Sequence, residues 1–283
     1  MDDLLVAARA VHFATTSLVA GVVLFRWLVA DPAGLRRRLA IIVLVSLTLS
    51  LLSGIAWLLA VAATIGRAAL ANTASLVLTE TQFGHAWLVR LLLAGLLLAG
   101  VMRRSRILSA LSAAGLMGAL AWSGHAAGTP GIRGDFHRIV DVVHLVAAAG
   151  WLGGLLPLLL LFRLGNPDDG LVSATKRFST VGLVSVGTLL ITGSINAWVL
   201  VAGPSALIET KYGILLLIKI ALFAAMVAVA AVNRLRLTPG LPSDAATRAL
   251  SRNVLIELTL GLAVLTIVGL LGTLPPGGHA GMH

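Results

Sequence analysis

The chain has 283 residues, of which 58% are hydrophobic and only 11% charged, and its formal net charge is +10. A soluble domain has about a quarter of its residues charged, so this composition excludes an ordinary water-exposed surface and indicates a protein solvated by lipid. The Lys and Arg residues lie in short segments between apolar runs, so we expect no nucleic-acid partner. The absence of cysteine excludes disulfides, thiolate metal sites and cysteine nucleophiles.

Eight apolar segments are long enough to cross a bilayer as helices, for which about 20 residues are needed. The acidic start argues against a cleaved signal peptide, so we expect the first segment to be retained. The predicted fold class is an all-α integral membrane protein with eight transmembrane helices. The predicted spans cover residues 4–29, 39–65, 84–102, 106–127, 136–162, 178–202, 212–233 and 252–274.

The distribution of Lys and Arg predicts the orientation. Fourteen of these residues lie in or beside the connections that follow spans 1, 3, 5 and 7. Only four lie in or beside the connections that follow spans 2, 4 and 6. By the positive-inside rule, the first set is cytoplasmic and both termini are periplasmic. The fourteen are Arg26, Arg36, Arg37, Arg38, Arg103, Arg104, Arg106, Arg163, Lys176, Arg177, Arg234, Arg236, Arg248 and Arg252, and the four are Arg67, Arg133, Arg138 and Lys211.

Two segments share a Glu-Thr-x-aromatic-Gly motif, at residues 80–84 and 209–213. A cation follows each motif glycine by six residues inside an apolar run, Arg90 in the first case and Lys219 in the second. This match predicts that the chain consists of two copies of a four-helix unit. Because each unit has an even number of spans, the two units are expected to be related by a pseudo-twofold axis along the membrane normal.

The histidines of spans 1 and 5 fit the same duplication, since Gly21 follows His12 by nine residues and Gly153 follows His144 by nine. Apolar helices resemble each other by chance, so this match carries less weight than the Glu-Thr motif. The predicted organisation is a first repeat at 1–128, a second repeat at 129–274 and a short external tail at 275–283.

All seven histidines fall on the predicted outer side or in the outer half of the membrane. Imidazole is the commonest metal ligand and suits copper. In span 5, spacings of four and three place His137, Asp141 and His144 on one helix face. We therefore expect a metal site near the outer face, with candidate ligands His12, His85, His125, His137, Asp141 and His144. The alternative is that such histidines bond Ser or Thr across helices as packing residues.

Other polar residues within the spans are candidates for a path or for structural pairing: Arg90, Met117, Lys219 and Glu257. Met117 is placed to offer a thioether to Cu(I), and Glu257 is a candidate relay in the inner leaflet. A weak second site in the tail comprises His279, Met282 and His283. No nucleophile–base pair, phosphate loop or zinc-protease motif is present, so we expect no enzyme and assign no catalytic residue.

The second half contains a series of short motifs in a fixed order. They are His144 with Trp151-x-Gly153-Gly154, Arg177-Phe178-Ser179, Thr192-Gly193, Thr210-x-Tyr212-Gly213 with Lys219, and Asn233-Arg234-x-Arg236. This series resembles the copper resistance protein D (CopD) family. The resemblance implies a multi-pass protein of the bacterial inner membrane that moves copper between periplasm and cytoplasm, with copper ion as the expected metal. It also implies a periplasmic copper-binding partner of the copper resistance protein C type.

Two alternatives remain open from the residues. In one, His12 and His144 are axial ligands of haem b in a membrane redox protein, with Arg90 and Lys219 near the propionates. In the other, the protein is a copper sensor or assembly factor that binds the metal externally without transporting it. The direction of transport, the oxidation state of copper, the energy source and the oligomeric state are left open.

Overall fold

The computed structural model describes residues 2–65, 70–124, 131–165, 170–201 and 203–275, and within these ranges the regular structure is entirely helical. Eight helical segments in these ranges are long and apolar enough to cross a membrane. The predicted fold class and number of spans are thereby confirmed. The spans are Asp3–Leu28, Ala33–Ala63, Gln82–Met102, Arg106–Ser123, Gly131–Leu164, Leu171–Leu200, Lys211–Gly240 and Asp244–Leu271.

The α-helices are numbered in chain order. They are α1 (Asp2–Leu28), α2 (Arg36–Ile65), α3 (Leu70–Glu80), α4 (Gln82–Met102), α5 (Arg106–Gly118), α6 (Gly131–Ala148), α7 (Gly154–Leu164), α8 (Leu171–Leu200), α9 (Ala206–Glu209), α10 (Lys211–Val232) and α11 (Asp244–Leu271). The fifth span is not one regular helix, because a π-helical turn at Ala149–Gly153 separates α6 from α7. Such turns insert extra backbone into a helix and are frequent at functional sites.

The outward faces of the helices carry large apolar side chains that water would not solvate well. Leu92 is 64% exposed, Ile191 66% and Leu262 58%. A continuous apolar surface of this kind is expected where lipid, rather than water, covers a helix bundle.

Helix α1 lies at the centre of the bundle and contacts α2, α5, α7, α8, α11 and the π-helical turn. Its closest approach is to that turn, where a Cβ added to Gly21 would lie 2.3 Å from Gly153 Cα. A Cβ added to Gly153 would in turn lie 2.8 Å from Gly21 Cα. Glycine at both positions lets the two backbones touch. The predicted repeat places these glycines at equivalent positions, and a twofold axis between the repeats would bring such positions together.

The two Glu-Thr motifs end in the same local structure. The Thr81 hydroxyl accepts a hydrogen bond from Gly84 N at 3.1 Å and donates to the carbonyl four residues earlier at 2.6 Å. Thr210 makes the same pair of bonds, with Gly213 N at 2.9 Å and with the carbonyl four residues earlier at 2.7 Å. Each threonine therefore caps the following helix, α4 or α10, and the motif has a structural function in both places.

Several boundaries differ from the sequence prediction, and α6 and α11 begin five and eight residues before their predicted spans. The connection predicted at 66–83 contains an eleven-residue helix, α3. Helix α8 begins at Leu171, seven residues before the predicted start, because the pair at 176–177 is charged and interrupts the apolar pattern without ending the helix. A charged pair at a membrane boundary is compatible with helix continuation into the headgroup region.

Asp31 holds together the end of the bundle that the charge distribution predicts to be cytoplasmic. Its carboxylate lies 2.9 Å from Arg26, 3.2 Å from Arg36 and 3.3 Å from Arg106. These arginines come from α1, α2 and α5, so this one carboxylate joins three helix ends. We assign this cluster a structural role.

Candidate functional site

His144 lies where α6 faces α8, with its Nδ1 atom 2.9 Å from the Thr192 hydroxyl oxygen. Thr192 donates its own proton to the Thr188 carbonyl at 2.7 Å. Because that proton is already used, Thr192 accepts from His144 Nδ1–H, which leaves the lone pair on Nε2. Gly193 lies beside the ring, since a Cβ there would be 3.5 Å from His144 Cε1, an ordinary van der Waals distance. The ring is thus held in the tautomer that can ligate a metal through Nε2.

Asp141 lies one helical turn before His144 and accepts a hydrogen bond of 3.1 Å from Asn196 Nδ2. It also interacts electrostatically with Lys219 of α10, and Lys219 interacts with His144 in turn. One carboxylate, one imidazole and one ammonium group therefore share this region. The predicted grouping of Asp141 with His144 is present on one face of α6, with Lys219 as its neutralising cation.

A cavity of about 270 Å³ adjoins this group and is lined by both His144 and Lys219. The rest of its wall is almost entirely apolar and includes Trp151 and Met226. Met226 is 3% exposed, and its thioether is the kind of soft ligand that Cu(I) prefers. The wall of the cavity therefore contains both an imidazole and a thioether. The sequence analysis missed Met226, which looks like an ordinary residue of an apolar helix.

His12 has an environment that parallels that of His144. Its Nδ1 lies 2.8 Å from the Ser50 carbonyl oxygen and 3.4 Å from the Ser53 hydroxyl oxygen. A carbonyl oxygen only accepts, so Nδ1 carries the proton and Nε2 keeps the lone pair. Gly54 follows Ser53 as Gly193 follows Thr192, and a Cβ on Gly54 would lie 3.1 Å from His12 Cε1. The Nε2 atom of His12 is buried and has no hydrogen-bond partner among the described residues.

Two arginines surround His12. Arg9, 7% exposed, lies with its guanidinium carbon 4.5 Å from the centre of the Trp57 ring system, and Arg90, 4% exposed, lies 5.9 Å from it. Arg90 is anchored by hydrogen bonds to the Ala119 carbonyl at 3.0 Å and to Ser123. Neither arginine forms an ion pair with a carboxylate of the described residues.

Sequence analysis singled out Arg90 but missed Arg9. The relevant signal was present, since Arg9 precedes His12 by three residues and Asp141 precedes His144 by the same interval. The predicted repeat therefore places a cation in one half where the other half has a carboxylate. This substitution changes the charge beside the histidine from negative to positive.

Glu257 is 2% exposed and packs against Asn233, towards the end of the bundle that is predicted to be cytoplasmic. It accepts a hydrogen bond of 2.7 Å from Asn233 Nδ2, and Asn233 Oδ1 accepts one of 2.8 Å from Asn253. Trp151 also hydrogen-bonds the Glu257 carboxyl group. These contacts satisfy a buried acid that would otherwise be costly in a membrane. A second cavity, of about 320 Å³, is lined by Glu257, Asn233 and Trp151.

The remaining candidates within the described residues have different surroundings. His137 is 1% exposed and is not free of contacts. His85 is exposed, and its Nε2 atom donates to the Thr79 carbonyl at 2.8 Å. Met117 is 1% exposed, with its sulfur 3.6 Å from the Ser17 hydroxyl oxygen.

Within the described part of the chain, no three His, Asp or Glu side chains come together as a metal-binding group. The predicted ligand set therefore stays a prediction, with His144 and Asp141 as its best-supported members. His125, His279, Met282 and His283 lie outside the described residues.

Comparison with known protein families gives matches along most of the chain. The family described as copper resistance protein D matches residues 172–271. The family described as copper resistance protein D-like, N-terminal domain, matches residues 1–135. No solved structure matches the chain.

Three curated proteins are similar in sequence. The inner membrane protein YebZ of Escherichia coli strain K12 is 33% identical, over 96% of this chain and 98% of YebZ. Copper resistance protein D of Pseudomonas syringae pv. tomato is 32% identical, over 74% of each chain. The copper transport protein CutJ of Bacillus subtilis strain 168 is 32% identical over 70% of this chain and 38% of CutJ. The resemblance seen in the sequence motifs is thereby confirmed, and the chain belongs to the copper resistance protein D family.

Proposed function

We propose that this protein accepts copper from the periplasmic face of the bacterial inner membrane and carries it across, with His144 Nε2 as a central ligand. The observation that carries the proposal is the bond between His144 Nδ1–H and Thr192, which leaves Nε2 available to a metal beside Asp141. Imidazole ligated in this way, with its other nitrogen held by a neighbouring group, is the usual arrangement in metal sites.

The cavities support a route through the second half of the protein. The cavity beside His144 and the cavity beside Glu257 are both lined by Trp151, which therefore borders each of them. Met226 lines the first cavity and Glu257 lines the second. Copper would pass from imidazole and thioether ligands to a carboxylate once Trp151 moves. This series of donors favours a transporter over a sensor that binds copper only at the outer face.

Trp151 belongs to the π-helical turn next to Gly153, so the element that separates the two cavities has irregular backbone. Such a turn changes its hydrogen-bonding pattern more readily than a regular α-helix does. We propose that a rearrangement of this turn opens the route between the two cavities. The same movement would release the Trp151 hydrogen bond to Glu257.

The remaining candidate ligands would act before and beside His144. His125 and His137 are proposed as the first ligands at the outer face, and Met117 as a soft ligand in the first half. His12 is not proposed as a copper ligand, because Arg9 and Arg90 beside it would repel a metal cation. Met117 lies against Ser17, which follows His12 by five residues on α1. His85 is proposed as a peripheral ligand, as are the tail residues at 279–283.

The location and partner follow from the family and from the charge distribution. YebZ is named an inner membrane protein, and CutJ a copper transport protein. We propose the bacterial inner membrane for this chain, with both termini periplasmic because of the positive-inside bias. A periplasmic copper chaperone of the copper resistance protein C type is the proposed donor.

The test is copper binding by detergent-purified protein, with His144→Ala compared with Val143→Ala. Val143 adjoins His144 in the chain but is 44% exposed on the apolar face, so it controls for shortening a side chain of the same helix. We expect His144→Ala to lose bound copper and Val143→Ala to keep it. Unchanged copper stoichiometry and affinity in His144→Ala would overturn the proposed site.

Haem b is a second candidate ligand, favoured by one specific observation. His12 and His144 both have Nδ1 hydrogen-bonded and a lone pair left on Nε2, which is also the arrangement of an axial haem ligand. Arg90 and Lys219 lie near the respective histidines and would suit propionates. An absorption spectrum of the same preparation decides between them, since a Soret band with stoichiometric iron supports haem, and copper without that band supports the first proposal.

A further inference from the structure

Four buried polar side chains from two helices meet around the indole of Trp57, which belongs to a third helix. Arg9 and His12 come from α1, and Trp87 and Arg90 from α4, while Trp57 itself belongs to α2. Each of the four is between 4% and 7% exposed. The His12 ring lies 5.6 Å from Trp57, and a Cβ on the nearby Gly54 would touch both His12 and Trp87. The group is therefore one cluster rather than four separate residues.

Several hydrogen-bond donors of the cluster have no acceptor among the described residues. Arg9 Nε, Arg90 Nε, Arg90 Nη1 and Trp87 Nε1 are all buried without a hydrogen-bond partner. Buried polar atoms in folded proteins almost always have partners, and each exception needs an explanation. Besides His12 Nε2, which carries a lone pair, the unpartnered atoms of the cluster are all N–H groups, and these form the donor set of a site for an acceptor.

The positive charge of the cluster also indicates a site for an anion. Arg9 and Arg90 interact with each other electrostatically, and both act on His12. Over the ranges that the structure describes, the ion pairs lie elsewhere, at Asp31 and at Asp135. Two buried cations without a counter-charge are unfavourable in a membrane protein, where such residues are normally paired.

Snorkelling towards water does not account for these arginines. The Arg90 guanidinium is turned into the bundle, where Nη2 bonds the Ala119 carbonyl and the Ser123 hydroxyl. The Arg9 guanidinium lies against the end of α11, since a Cβ on Gly272 would be 1.8 Å from Arg9 Nη2. Both groups are fixed within protein rather than extended towards headgroups.

We infer that the cluster of Arg9, Trp87 and Arg90 beside His12 is a binding site for an oxyanion, a carboxylate or phosphate group. Guanidinium groups match the geometry of these anions, and an indole N–H adds a neutral donor. The nearby helix ends, at Ser123 and Gly272, lie on the predicted periplasmic side. The anion therefore has two possible sources, a soluble oxyanion of the periplasm or the phosphate of a lipid headgroup.

The experiment measures thermal unfolding of the full chain, purified in dodecyl maltoside and freed of lipid, with no copper present. Inorganic phosphate and acetate are titrated at an ionic strength held constant with sodium chloride. In parallel, phosphatidylglycerol is titrated into the same micelles. A ligand that binds only the folded state raises the apparent melting temperature with its concentration.

The variants are Arg9→Met, Trp87→Phe and a control, Arg133→Gln. Arg133 is an exposed cation on the same predicted side of the membrane, so the control removes a charge without touching the cluster. Arg9→Met removes a buried cation that has no counter-charge among the described residues, and so is expected to fold without the anion. It should bind the anion about tenfold or more weakly, the typical loss for one charge-assisted hydrogen bond. Trp87→Phe keeps an aromatic ring but loses the N–H and the fused five-membered ring without changing the charge, so a smaller loss of anion affinity is expected.

Stabilisation of the wild type by phosphate or acetate, lost in Arg9→Met and kept in Arg133→Gln, would establish a site for a soluble oxyanion. The same pattern with phosphatidylglycerol alone would establish a lipid headgroup site. No stabilisation of the wild type by any of the three, or equal loss in Arg9→Met and Arg133→Gln, would overturn the inference. Because the assay contains no copper, failure here leaves the copper proposal to its own test.

Discussion

Thr192→Val tests whether the hydroxyl that holds His144 matters for copper. Valine has nearly the same shape as threonine but offers no acceptor to His144 Nδ1–H, which Thr192 binds at 2.9 Å. The ring would then be free to rotate or to change tautomer. Thr192 is 6% exposed, so water has little access to replace the lost acceptor.

The size of the effect follows from comparable metal sites. Loss of a group that orients a ligating histidine weakens metal binding by about 10–100-fold. In free energy this corresponds to about 1.4–2.8 kcal/mol. We therefore expect Thr192→Val to retain a site of reduced affinity, whereas His144→Ala removes the ligand itself.

The assay is competition for copper between the purified protein and a coloured chelator of known affinity. Thr180→Val is the matched control, since Thr180 lies on the same helix and its hydroxyl bonds only the Lys176 carbonyl, at 3.2 Å. We expect the wild type and Thr180→Val to compete equally and Thr192→Val to compete more weakly. If Thr192→Val binds copper as tightly as the control while His144→Ala does not bind, the tautomer argument is wrong.

Three further predictions concern charge, transport and packing. Lys219→Met should tighten copper binding, because it removes a cation next to Asp141, and Asp141→Asn should weaken copper binding. Equal copper affinities of both variants and the wild type in a chelator competition would contradict the assigned electrostatics. Glu257→Gln keeps an oxygen for its hydrogen bonds but loses the charge, so outer binding should persist while copper flux into proteoliposomes falls by about tenfold or more; unaltered flux would exclude Glu257 from the route. Gly21→Ala places a methyl group 2.3 Å from Gly153 Cα and should cost about 1–3 kcal/mol, seen as a lower melting temperature than in the wild type.

The spans could be predicted from sequence because membrane insertion depends on the same local quantity, a run of apolar residues, that the sequence displays directly. The boundaries of α8 were less accessible, since Lys176 and Arg177 lower the local hydropathy without ending the helix. Helix α3 was missed for the related reason that its eleven residues are too few to span a bilayer.

The candidate site was only partly predictable. Helical spacing was enough to place Asp141 and His144 on one face of α6, because both lie on a single regular element. The partners of His144 come from α8 and α10, and no spacing rule shows which face of one helix meets which face of another. Trp151 entered the sequence analysis only as part of a family motif, and its position between two cavities depends on the π-helical turn, which has no clear sequence pattern.

The two histidine sites share their geometry and differ in their charge. In each, Nδ1 donates a hydrogen bond to an acceptor on the second membrane span of its half. A Cβ added to a glycine of that span would lie 3.1 Å from the His12 ring or 3.5 Å from the His144 ring. Beside His144 stands Asp141, which attracts a metal cation, whereas beside His12 stands Arg9, which repels one. If the halves arose by duplication, as the Glu-Thr motif predicts, the exchange of a carboxylate for a guanidinium changed a cation site into an anion site. The same scaffold would then serve copper in the second half and an oxyanion in the first.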